Sequence, residues 1–349
     1  MSVTTDSECG LMIDPSQTSP HRPIEGRPRL VVTRRLLPAT EARMAELFDA
    51  RLNPDDTPMS RQALAAAMAE CDVLVPAVTD RIDAELIAGA GERLRLIANF
   101  GAGTEHIDLA AAHARGMLVT NTPGVFTDDT ADLAFALIIA VTRRFAAGAR
   151  EIYQGQWQGW GPSLLLGHSL THKRLAIVGM GRIGQAVAQR GRAFGMEIVY
   201  HNRKPLPGDV EAQFAARYEP DLDRLIAEAD VLSLHCPANS DRSYVLDARR
   251  IAAMKPGAYV VNTARGSLID EEAMIEALGA GRLGGAGLDV YPNEPAIDPR
   301  YLALPNVVLL PHLGSATFEG RTAAGERIIA NIRHWADGHR PPDQVLDGW

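Results

Sequence analysis

Short runs of β-branched residues and leucine alternate with helical segments along nearly the whole chain from Arg29 onwards. Such alternation predicts parallel sheets, because each strand must return to the same edge of its sheet through a helical crossover. In the first series, strands are expected at residues 30–33, 73–75, 94–98 and 118–120, with helices starting near Thr40 and Asp83. The fold class is therefore α/β.

A second series of strands and helices begins at Arg174. Its predicted strands cover residues 174–178, 197–201, 231–235, 259–261, 286–290 and 307–310. A long apolar helix from Thr127 to about Phe145 connects the two series, and a last helix runs from Thr317 to about Asp337. Because this last helix has no strand of its own in the second series, we expect it to return to the first domain.

The length of 349 residues predicts about two domains. We expect each domain to be a doubly wound parallel sheet. Residues 1–27, with scattered Ser, Thr and Pro and no apolar period, are expected to form a flexible extension. Residues 28–124 and 316–349 are assigned to a substrate-binding domain, which a cofactor domain of residues 125–315 interrupts.

Composition excludes several classes of protein. The formal net charge of −8 argues against a general binder of nucleic acid or of anionic membranes. Cys9, Cys71 and Cys236 are too few and too scattered for a disulfide framework, which favours the reducing cytoplasm. No Cys, His or acidic spacing resembles a zinc site. The longest apolar stretch, residues 133–141, is about half of the ~20 residues that a membrane-spanning helix needs.

A glycine motif follows the predicted strand at residues 174–178. The motif reads Gly179-Met180-Gly181-Arg182-Ile183-Gly184 and leads directly into a predicted helix. In a G-x-G-x-x-G turn the first glycine permits the tight turn, the second lets the backbone approach a pyrophosphate, and the third allows close helix packing. The helix N-terminus adds amide donors and a positive dipole. We interpret this turn as a dinucleotide site.

The end of the next predicted strand indicates which dinucleotide is preferred. An NAD site usually has an acidic residue about 20 positions after the glycine motif, where it accepts a hydrogen bond from the ribose 2′-hydroxyl. This chain has Asn202 there, followed by Arg203 and Lys204. The two cations attract a 2′-phosphate, so we expect NADP(H) to be preferred, with NAD(H) as the alternative cofactor. The competing interpretation is that both cations are only solvated surface charges.

Polar residues follow three further strands at the edge where a doubly wound sheet binds its ligand. They are Arg265, Glu294 and His312. Each alone has an ordinary explanation as a surface ion pair, a loop charge or a histidine beside a turn. Together with a nicotinamide they supply what carbonyl reduction requires, namely a cation for the substrate and an acid for the developing alkoxide. A carboxylate beside His312 favours the charged imidazolium and orients its ring, which is the role we assign to Glu294.

From about residue 29 onwards the chain resembles the D-2-hydroxyacid dehydrogenase family, in its glyoxylate and hydroxypyruvate reductase branch. The segments that carry the resemblance are 99–108, 120–125, 179–184, 262–266, 294–295 and 311–317. The resemblance implies a Rossmann-type cofactor domain inserted into a flavodoxin-like substrate domain. It also implies that Arg265, Glu294 and His312 form the catalytic triad, and that the amides of Ala102 and Gly103 hold the substrate carboxylate together with Arg265 and His312.

The same resemblance implies a set of cofactor contacts around the glycine motif. Arg182 and Ile183 are expected at the pyrophosphate, Cys236 and Pro237 beside the adenosine, and Thr263, Ala264 and Asp289 on the nicotinamide side. The remaining members of the expected set are Gly179, Met180, Gly181, Gly184, Asn202, Arg203, Lys204, Arg265, His312 and Gly314. Two positions that are often glycine in the family hold His172 and Ala176, and we interpret His172 as an exposed loop residue.

The resemblance implies a homodimer. Three large rings, Tyr153, Trp157 and Trp160, lie in a glycine-rich segment that favours a subunit contact, although packing on their own domain is the alternative. The expected activity is NADPH-dependent reduction of a 2-oxo acid such as glyoxylate or hydroxypyruvate to the D-2-hydroxy acid, with His312 as the proton donor. Two alternatives stay open: an NAD-linked dehydrogenase of 3-phosphoglycerate, 2-ketogluconate or formate, and a nucleotide-sensing protein without activity.

Overall fold

The computed structural model describes residues 23–238 and 243–345, and they divide into two compact units. Unit 1 comprises the residues up to Pro123 and those from Arg321 onwards, and unit 2 comprises Gly124–Gly320. Most of the expected N-terminal extension, residues 1–22, lies outside the described part of the chain. Within the described part, the amide of Ile24 donates a hydrogen bond to the carbonyl oxygen of Ala336, 3.0 Å away.

Unit 1 is a parallel sheet with helices. Its strands are β1 (Arg29–Val32), β2 (Asp49–Arg51), β3 (Val73–Val75), β4 (Leu96–Ala98) and β5 (Leu118–Thr120). Its helices are α1 (Pro38–Leu47), α2 (Arg61–Glu70), α3 (Ala84–Ala88), α4 (Leu109–Ala114) and most of α13 (Phe318–Ala336). The strand order β2-β1-β3-β4-β5, parallel at every pairing, is the flavodoxin-like order.

Side-chain caps start three short helices of unit 1. Ser60, Asp83 and Asp108 accept hydrogen bonds from backbone amides in the first turns of α2, α3 and α4. Such caps satisfy amide donors that a helix start otherwise leaves unpaired. The fully buried strands β3 and β4 read Val-Leu-Val and Leu-Ile-Ala, as expected for central strands that helices cover on both faces.

Unit 2 is a larger parallel sheet. Its strands are β6 (Arg174–Val178), β7 (Glu197–His201), β8 (Ala216–Tyr218), β9 (Val231–Leu234), β10 (Tyr259–Asn262), β11 (Gly285–Leu288) and β12 (Val307–Leu309). Its helices are α5 (Thr127–Thr142), α6 (Phe145–Tyr153), α7 (Arg182–Ala193), α8 (Gly208–Phe214), α9 (Leu222–Ala227), α10 (Ala248–Ala253), α11 (Glu271–Gly279) and α12 (Arg300–Ala303). The order β12-β11-β10-β9-β6-β7-β8 is the Rossmann order with one added strand.

Helix α5 packs closely on the sheet of unit 2 because β11 is rich in glycine. A Cβ atom added at Gly287 would lie 2.9 Å from the Cβ of Leu137, and one added at Gly285 would lie 2.7 Å from Val141 Cγ2. Both distances are too short for real side chains, so glycine is needed where the helix crosses the strand. We predicted that this strand starts at residue 286, and in the structure it starts at Gly285.

The α/β fold class and its two parallel sheets are confirmed, and every predicted strand is present within two residues of its expected bounds. The strands and α-helices that were not predicted are β2, β8, α2, α4, α6, α8 and α12. The helix expected to reach Phe145 ends at Thr142, because Arg144 adopts a left-handed conformation with φ +56° and starts α6.

His172 adopts a backbone conformation that glycine tolerates better than other residues. Its backbone has φ +62°, which lies in the left-handed region that L residues rarely adopt, and its amide donates to the carbonyl of Gly195 at 2.9 Å. The side chain is exposed, as expected, so the strain is confined to the backbone. Among the described residues, no helix is long and apolar enough to cross a membrane.

Candidate active site

The loop after β10 holds Arg265 through the side chain of Asn262. Asn262, the last residue of the strand, is buried, and its Oδ1 accepts from the amide of Ala264 at 3.0 Å while its Nδ2 donates to the carbonyl of Arg265 at 2.8 Å. The loop then enters a 3-10 turn at Gly266–Leu268. The strand end therefore presents Arg265 in one defined backbone conformation.

The loop after β11 approaches this turn so closely that Gly266 cannot be replaced. A Cβ added there would overlap the backbone of Tyr291. Tyr291 is itself buried, and its one hydroxyl hydrogen is shared between the carbonyls of Leu288 and Leu310, which lie 3.1 and 3.0 Å from the hydroxyl oxygen. These contacts tie the ends of β10, β11 and β12 together and bring the loops of Arg265, Glu294 and His312 to one edge of the sheet.

Glu294 and His312 form a direct pair. His312 Nδ1 lies 2.7 Å from Glu294 Oε2, and the second carboxylate oxygen accepts from the amide of Tyr291 at 2.9 Å. Because the carboxylate accepts at Nδ1, that ring nitrogen carries a hydrogen and Nε2 points away from the pair. About a third of each side chain is exposed, so the pair is accessible to a small molecule.

Burial raises the pKa of Glu294, but the hydrogen bonds from His312 and Tyr291 and the charges of His312 and Arg265 outweigh it, and the pKa falls below its usual value. Glu294 therefore remains a carboxylate at neutral pH and keeps accepting from the ring.

A second carboxylate, Asp289, positions the segment that carries His312. Asp289 is fully buried, and its two oxygens accept from the amides of Leu313 and Gly314 at 2.7 and 2.8 Å. Its carbonyl accepts from the amide of His312 at 2.9 Å, and the Thr130 hydroxyl donates to the Gly314 carbonyl. Burial is the main cause that raises the pKa of Asp289, and the two amide bonds oppose it. His312 is held with φ +56°, a strained conformation typical of functional sites.

The glycine turn between β6 and α7 has the geometry that a dinucleotide requires. Gly179 has φ +95°, and a Cβ there would collide with the backbone of Cys236 and His235. A Cβ at Gly184 would overlap the Gly179 carbonyl. At Gly181, the residue that precedes α7, nothing lies within 4 Å of an added Cβ. The turn is therefore tightly packed on its protein side and open where a pyrophosphate would approach the helix N-terminus.

Asn202 is bonded to the same turn. Its Oδ1 accepts from the amide of Met180 at 2.7 Å, so the group left at the end of β7 is the Nδ2 donor. Arg203 and Lys204 follow it, both exposed, and their side chains form no ion pair or hydrogen bond with another residue of the described ranges. Three donors and no carboxylate at this point suit a phosphate, whose oxygens only accept.

Thr263, which is expected on the nicotinamide side, has a hydroxyl without a hydrogen-bond partner among the described residues. The residue is 8% exposed, and its Oγ1 is buried. A buried hydroxyl without a partner is costly unless a ligand supplies one. The open face of Gly181 and this orphaned oxygen together fit a bound nicotinamide dinucleotide.

The residues expected beside the adenosine follow β9. Pro237 is exposed, and burial raises the pKa of the Cys236 thiol to about 11, so Cys236 is not a thiolate at neutral pH. Desolvation lowers the pKa of neighbouring His235 to about 4, and its neutral ring is bonded to the Ser233 hydroxyl at 2.8 Å. The side chains of His235 and Cys236 are therefore uncharged at neutral pH.

The segment expected to hold the substrate carboxylate lies in unit 1, after β4. The backbone amides of Ala102 and Gly103 donate no hydrogen bond to any other residue in the described part of the chain. Two free amides in a turn form a small anion-binding nest.

Several contributing residues were not predicted, among them Asn262, Tyr291 and Thr130. The signal for Asn262 was available, because an Asn at the carboxyl end of a buried strand often bonds to the following loop. Tyr291 and Thr130 act through contacts with distant parts of the chain, which no local pattern indicates.

Comparisons with known proteins agree with this geometry. Residues 135–314 match the family model of the D-isomer specific 2-hydroxyacid dehydrogenase, NAD binding domain. A glyoxylate reductase of Thermococcus litoralis is 41% identical over 324 residues, which cover 91% of this chain and 97% of that protein. The crystal structure of a glyoxylate reductase from Paecilomyes thermophila is 32% identical, with a TM-score of 0.82 and coverage of 93% and 99%.

A third relative was solved with ligands. It is an NADPH-dependent glyoxylate/hydroxypyruvate reductase from Sinorhizobium meliloti in complex with NADP and malonate. It is 31% identical, with a TM-score of 0.82, and the match covers 92% of this chain and 97% of that one.

The strand order, the glycine turn and these matches define the class of the protein as an NAD(P)-dependent oxidoreductase. The chain belongs to the D-isomer specific 2-hydroxyacid dehydrogenase family.

A substitution at Gly181 tests cofactor binding without disturbing the fold. Asp is a favoured residue at a helix start, and the space there is open, so Gly181→Asp should leave the melting temperature within a few degrees of wild type. Its charge repels a pyrophosphate, and the affinity for NADPH or NADH should fall at least about tenfold in a fluorescence titration. Gly279→Asp, at the exposed end of α11, is the matched control and should bind cofactor normally. Unchanged affinity in Gly181→Asp would exclude the turn as the cofactor site.

Proposed function

We propose that this enzyme reduces small 2-oxo acids, with glyoxylate and hydroxypyruvate as its substrates, to the D-2-hydroxy acids. The observation that carries the proposal is the His312–Glu294 pair, 2.7 Å apart, beside the loop of Arg265 in a family of 2-hydroxyacid dehydrogenases. The named relatives with glyoxylate as substrate support this choice of substrate.

Each of the three side chains has a separate task. Arg265 binds the substrate through its guanidinium, which pairs with carboxylate and carbonyl oxygens. His312, with Nδ1 bonded to Glu294, donates the proton on Nε2 to the carbonyl oxygen as negative charge develops there. Glu294 stabilises the charged ring and holds it in place. A bound reduced nicotinamide supplies the hydride that the carbonyl carbon receives.

We assign the substrate carboxylate to the free amides of Ala102 and Gly103, assisted by Arg265. On this proposal residues 28–124 and 316–349 form the substrate-binding domain, and residues 125–315 form the cofactor domain. Gly179, Met180, Arg182, Ile183 and Gly184 then surround the pyrophosphate, and Thr263, Ala264, Asp289 and Gly314 lie on the nicotinamide side. The free backbone amides, the open face of Gly181 and the orphaned Thr263 hydroxyl support these assignments.

Removing the imidazole should abolish most of the turnover. We expect kcat for glyoxylate to fall by about 10²- to 10⁴-fold in His312→Ala, because the developing alkoxide loses its proton donor. His312→Asn should show a similar fall in kcat, and Asn adopts the positive φ of this position more readily than Ala does. Binding of NADPH should change little in either variant.

The control for this experiment is His334→Ala, which removes an exposed imidazole from α13. It should reduce glyoxylate like the wild type. A His312 variant with undiminished kcat would refute the assignment of the proton donor.

We propose NADP(H) as the preferred cofactor. The support is local: Arg203 and Lys204 are exposed and unpaired within the described residues, and Asn202 presents its amide donor because its oxygen accepts from Met180. A relative solved with NADP is called NADPH-dependent.

The cofactor preference is tested with the double variant Arg203→Ala/Lys204→Ala. Loss of two cations should lower kcat/KM for NADPH by at least about tenfold and change that for NADH less than about threefold. Lys173→Ala, just before β6 at the opposite end of the sheet, controls for the loss of charge. Equal effects on both cofactors, or a wild-type preference for NADH, would contradict the proposal.

We propose that the enzyme is a homodimer that uses α6 and the segment after it. Large apolar side chains are exposed here, most of all Tyr153 at 89% and Trp160 at 87%. The other members of this apolar surface are Phe145, Ile152, Trp157, Leu164 and Leu166. Large apolar side chains that are exposed together in one segment are typical of a protein interface.

Charge on the apolar surface should dissociate the dimer. The double variant Tyr153→Glu/Trp160→Glu would bury two carboxylates in the proposed interface, which is unfavourable. The mass of this variant in solution, measured by light scattering, should therefore be that of a monomer, whereas the wild type should have the mass of a dimer. Leu302→Glu, at an exposed apolar side chain on α12, should leave the mass unchanged. A wild-type monomer, or a double variant with the wild-type mass, would contradict this interface.

The location that we propose is the cytoplasm. Cys71 and Cys236 are free thiols, and burial raises the pKa of Cys71 to about 12. Free thiols of this kind persist in a reducing compartment.

A further inference from the structure

We propose that Asn99 and Asn121 are positioning residues that aim a row of backbone amides at the substrate carboxylate. The row comprises the amides of Ala102, Gly103 and Thr104, so it extends the expected pair by one donor. This inference rests on the proposed function, and it names the side chains on which recognition of the carboxylate depends.

Asn99 holds the turn from its buried side. The residue is fully buried, and its Nδ2 donates to the carbonyls of Gly101 and Gly103 at 3.1 and 2.9 Å. Its Oδ1 lies 3.0 Å from His106 Nε2. Since Oδ1 can only accept, Nε2 is the donor, and this bond fixes which end of the Asn99 amide faces the turn.

Asn121 holds the carbonyl of Ala102, which lies between those of Gly101 and Gly103 in the chain. Its Nδ2 donates to the carbonyl of Ala102 at 2.7 Å. The carbonyl of Gly101 also accepts from the amide of Thr122 at 3.0 Å. All three successive carbonyls of the turn, at residues 101, 102 and 103, therefore accept from an asparagine side chain.

The direction of the amides follows from the planarity of the peptide bond. In a trans peptide the C=O and the N–H of the next residue point in opposite directions. Bonds from Asn99 to the carbonyls of residues 101 and 103 therefore orient the N–H groups of Ala102 and Thr104 away from Asn99. The bond from Asn121 to the carbonyl of Ala102 orients the N–H of Gly103 away from Asn121. None of these three amides donates to another described residue, so all three are available to an anion.

Asn121 is itself held by the C-terminal segment. Its amide donates to the carbonyl of Asp343 at 3.3 Å, and its carbonyl accepts from Asn331 Nδ2 at 3.4 Å. Asp343 is paired with Arg327 through two bonds of 2.7 and 2.8 Å. The backbone of Asn121 is therefore fixed independently of its side chain, which can be replaced without removing these contacts.

The test removes the Asn121 donor without adding charge. In Asn121→Leu the Ala102 peptide loses its partner, so KM for glyoxylate and for hydroxypyruvate should rise by the same factor, at least about fivefold. KM for the reduced cofactor should stay within about twofold of wild type, and kcat should fall less than about threefold. Asn121→Gln keeps the amide donor on a longer side chain and should restore part of the affinity.

A binding measurement accompanies the kinetics. Oxalate is a carboxylate of similar size to glyoxylate that cannot be reduced by hydride transfer. Its Kd, measured by calorimetry with the cofactor present, should rise by the same factor as KM in Asn121→Leu. Asn306→Leu is the control, because Asn306 also donates to a backbone carbonyl, that of Leu278 at 3.3 Å, but lies in unit 2 before β12. It should leave KM and Kd unchanged.

The outcomes separate the two proposals. A wild type that reduces 2-oxo acids, with Asn121→Leu showing unchanged KM and unchanged oxalate Kd, overturns the positioning role alone. A wild type that reduces no 2-oxo acid overturns the proposed function. If Asn121→Leu does not fold, Asn121→Ala is measured in its place, with the same expected result and the same contradicting one.

Discussion

All strands of both sheets run parallel to their neighbours, and this direction determines where chemistry can occur. The loops that follow parallel strands leave the sheet at one edge, so residues far apart in the chain meet there. In unit 2, Arg265, Glu294 and His312 follow β10, β11 and β12 respectively. In the separate sheet of unit 1, the free amides follow β4. The helices cover the faces of each sheet and leave this edge for the polar side chains.

The carboxylates of Asp289 and Glu294 at this edge have different roles because their surroundings differ. Asp289 is fully buried and accepts only backbone amides, so its charge is used to hold the His312 segment. Glu294 is partly exposed and accepts from the histidine ring, so its charge acts on the imidazole. Burial raises the pKa of both, but hydrogen bonds and neighbouring charges reverse the direction only at Glu294.

The fold could be predicted from the sequence wherever a strand is buried. Runs such as Val73–Val75 are apolar throughout because helices cover both faces, and their bounds were predicted correctly. Asp49–Arg51 is an edge strand with polar residues, and its pattern gives no period to detect. The helix Arg61–Glu70 is rich in alanine, so its buried and exposed faces differ little in polarity.

The site could be predicted as a set of polar residues at strand ends, but its supporting contacts could not. Glu294 and His312 follow separate strands of a parallel sheet, and this position indicated a shared edge. The bond of Asn202 to Met180, 2.7 Å long, turns the expected cofactor residue so that it presents its donor. A rotation of one amide group depends on three-dimensional packing, and no pattern in the chain encodes it.

The crossing of the chain between units has a consequence for the order of folding during synthesis. Residues 124–320 are one continuous segment and can fold as soon as they leave the ribosome. Unit 1 also needs α13 and the strand-like segment in which Gln344 pairs with Thr120. The part of unit 1 that precedes the insertion therefore cannot complete its fold until the whole inserted unit has been made. If the amides of unit 1 hold the substrate carboxylate as proposed, carboxylate recognition is the last property that a newly made molecule acquires.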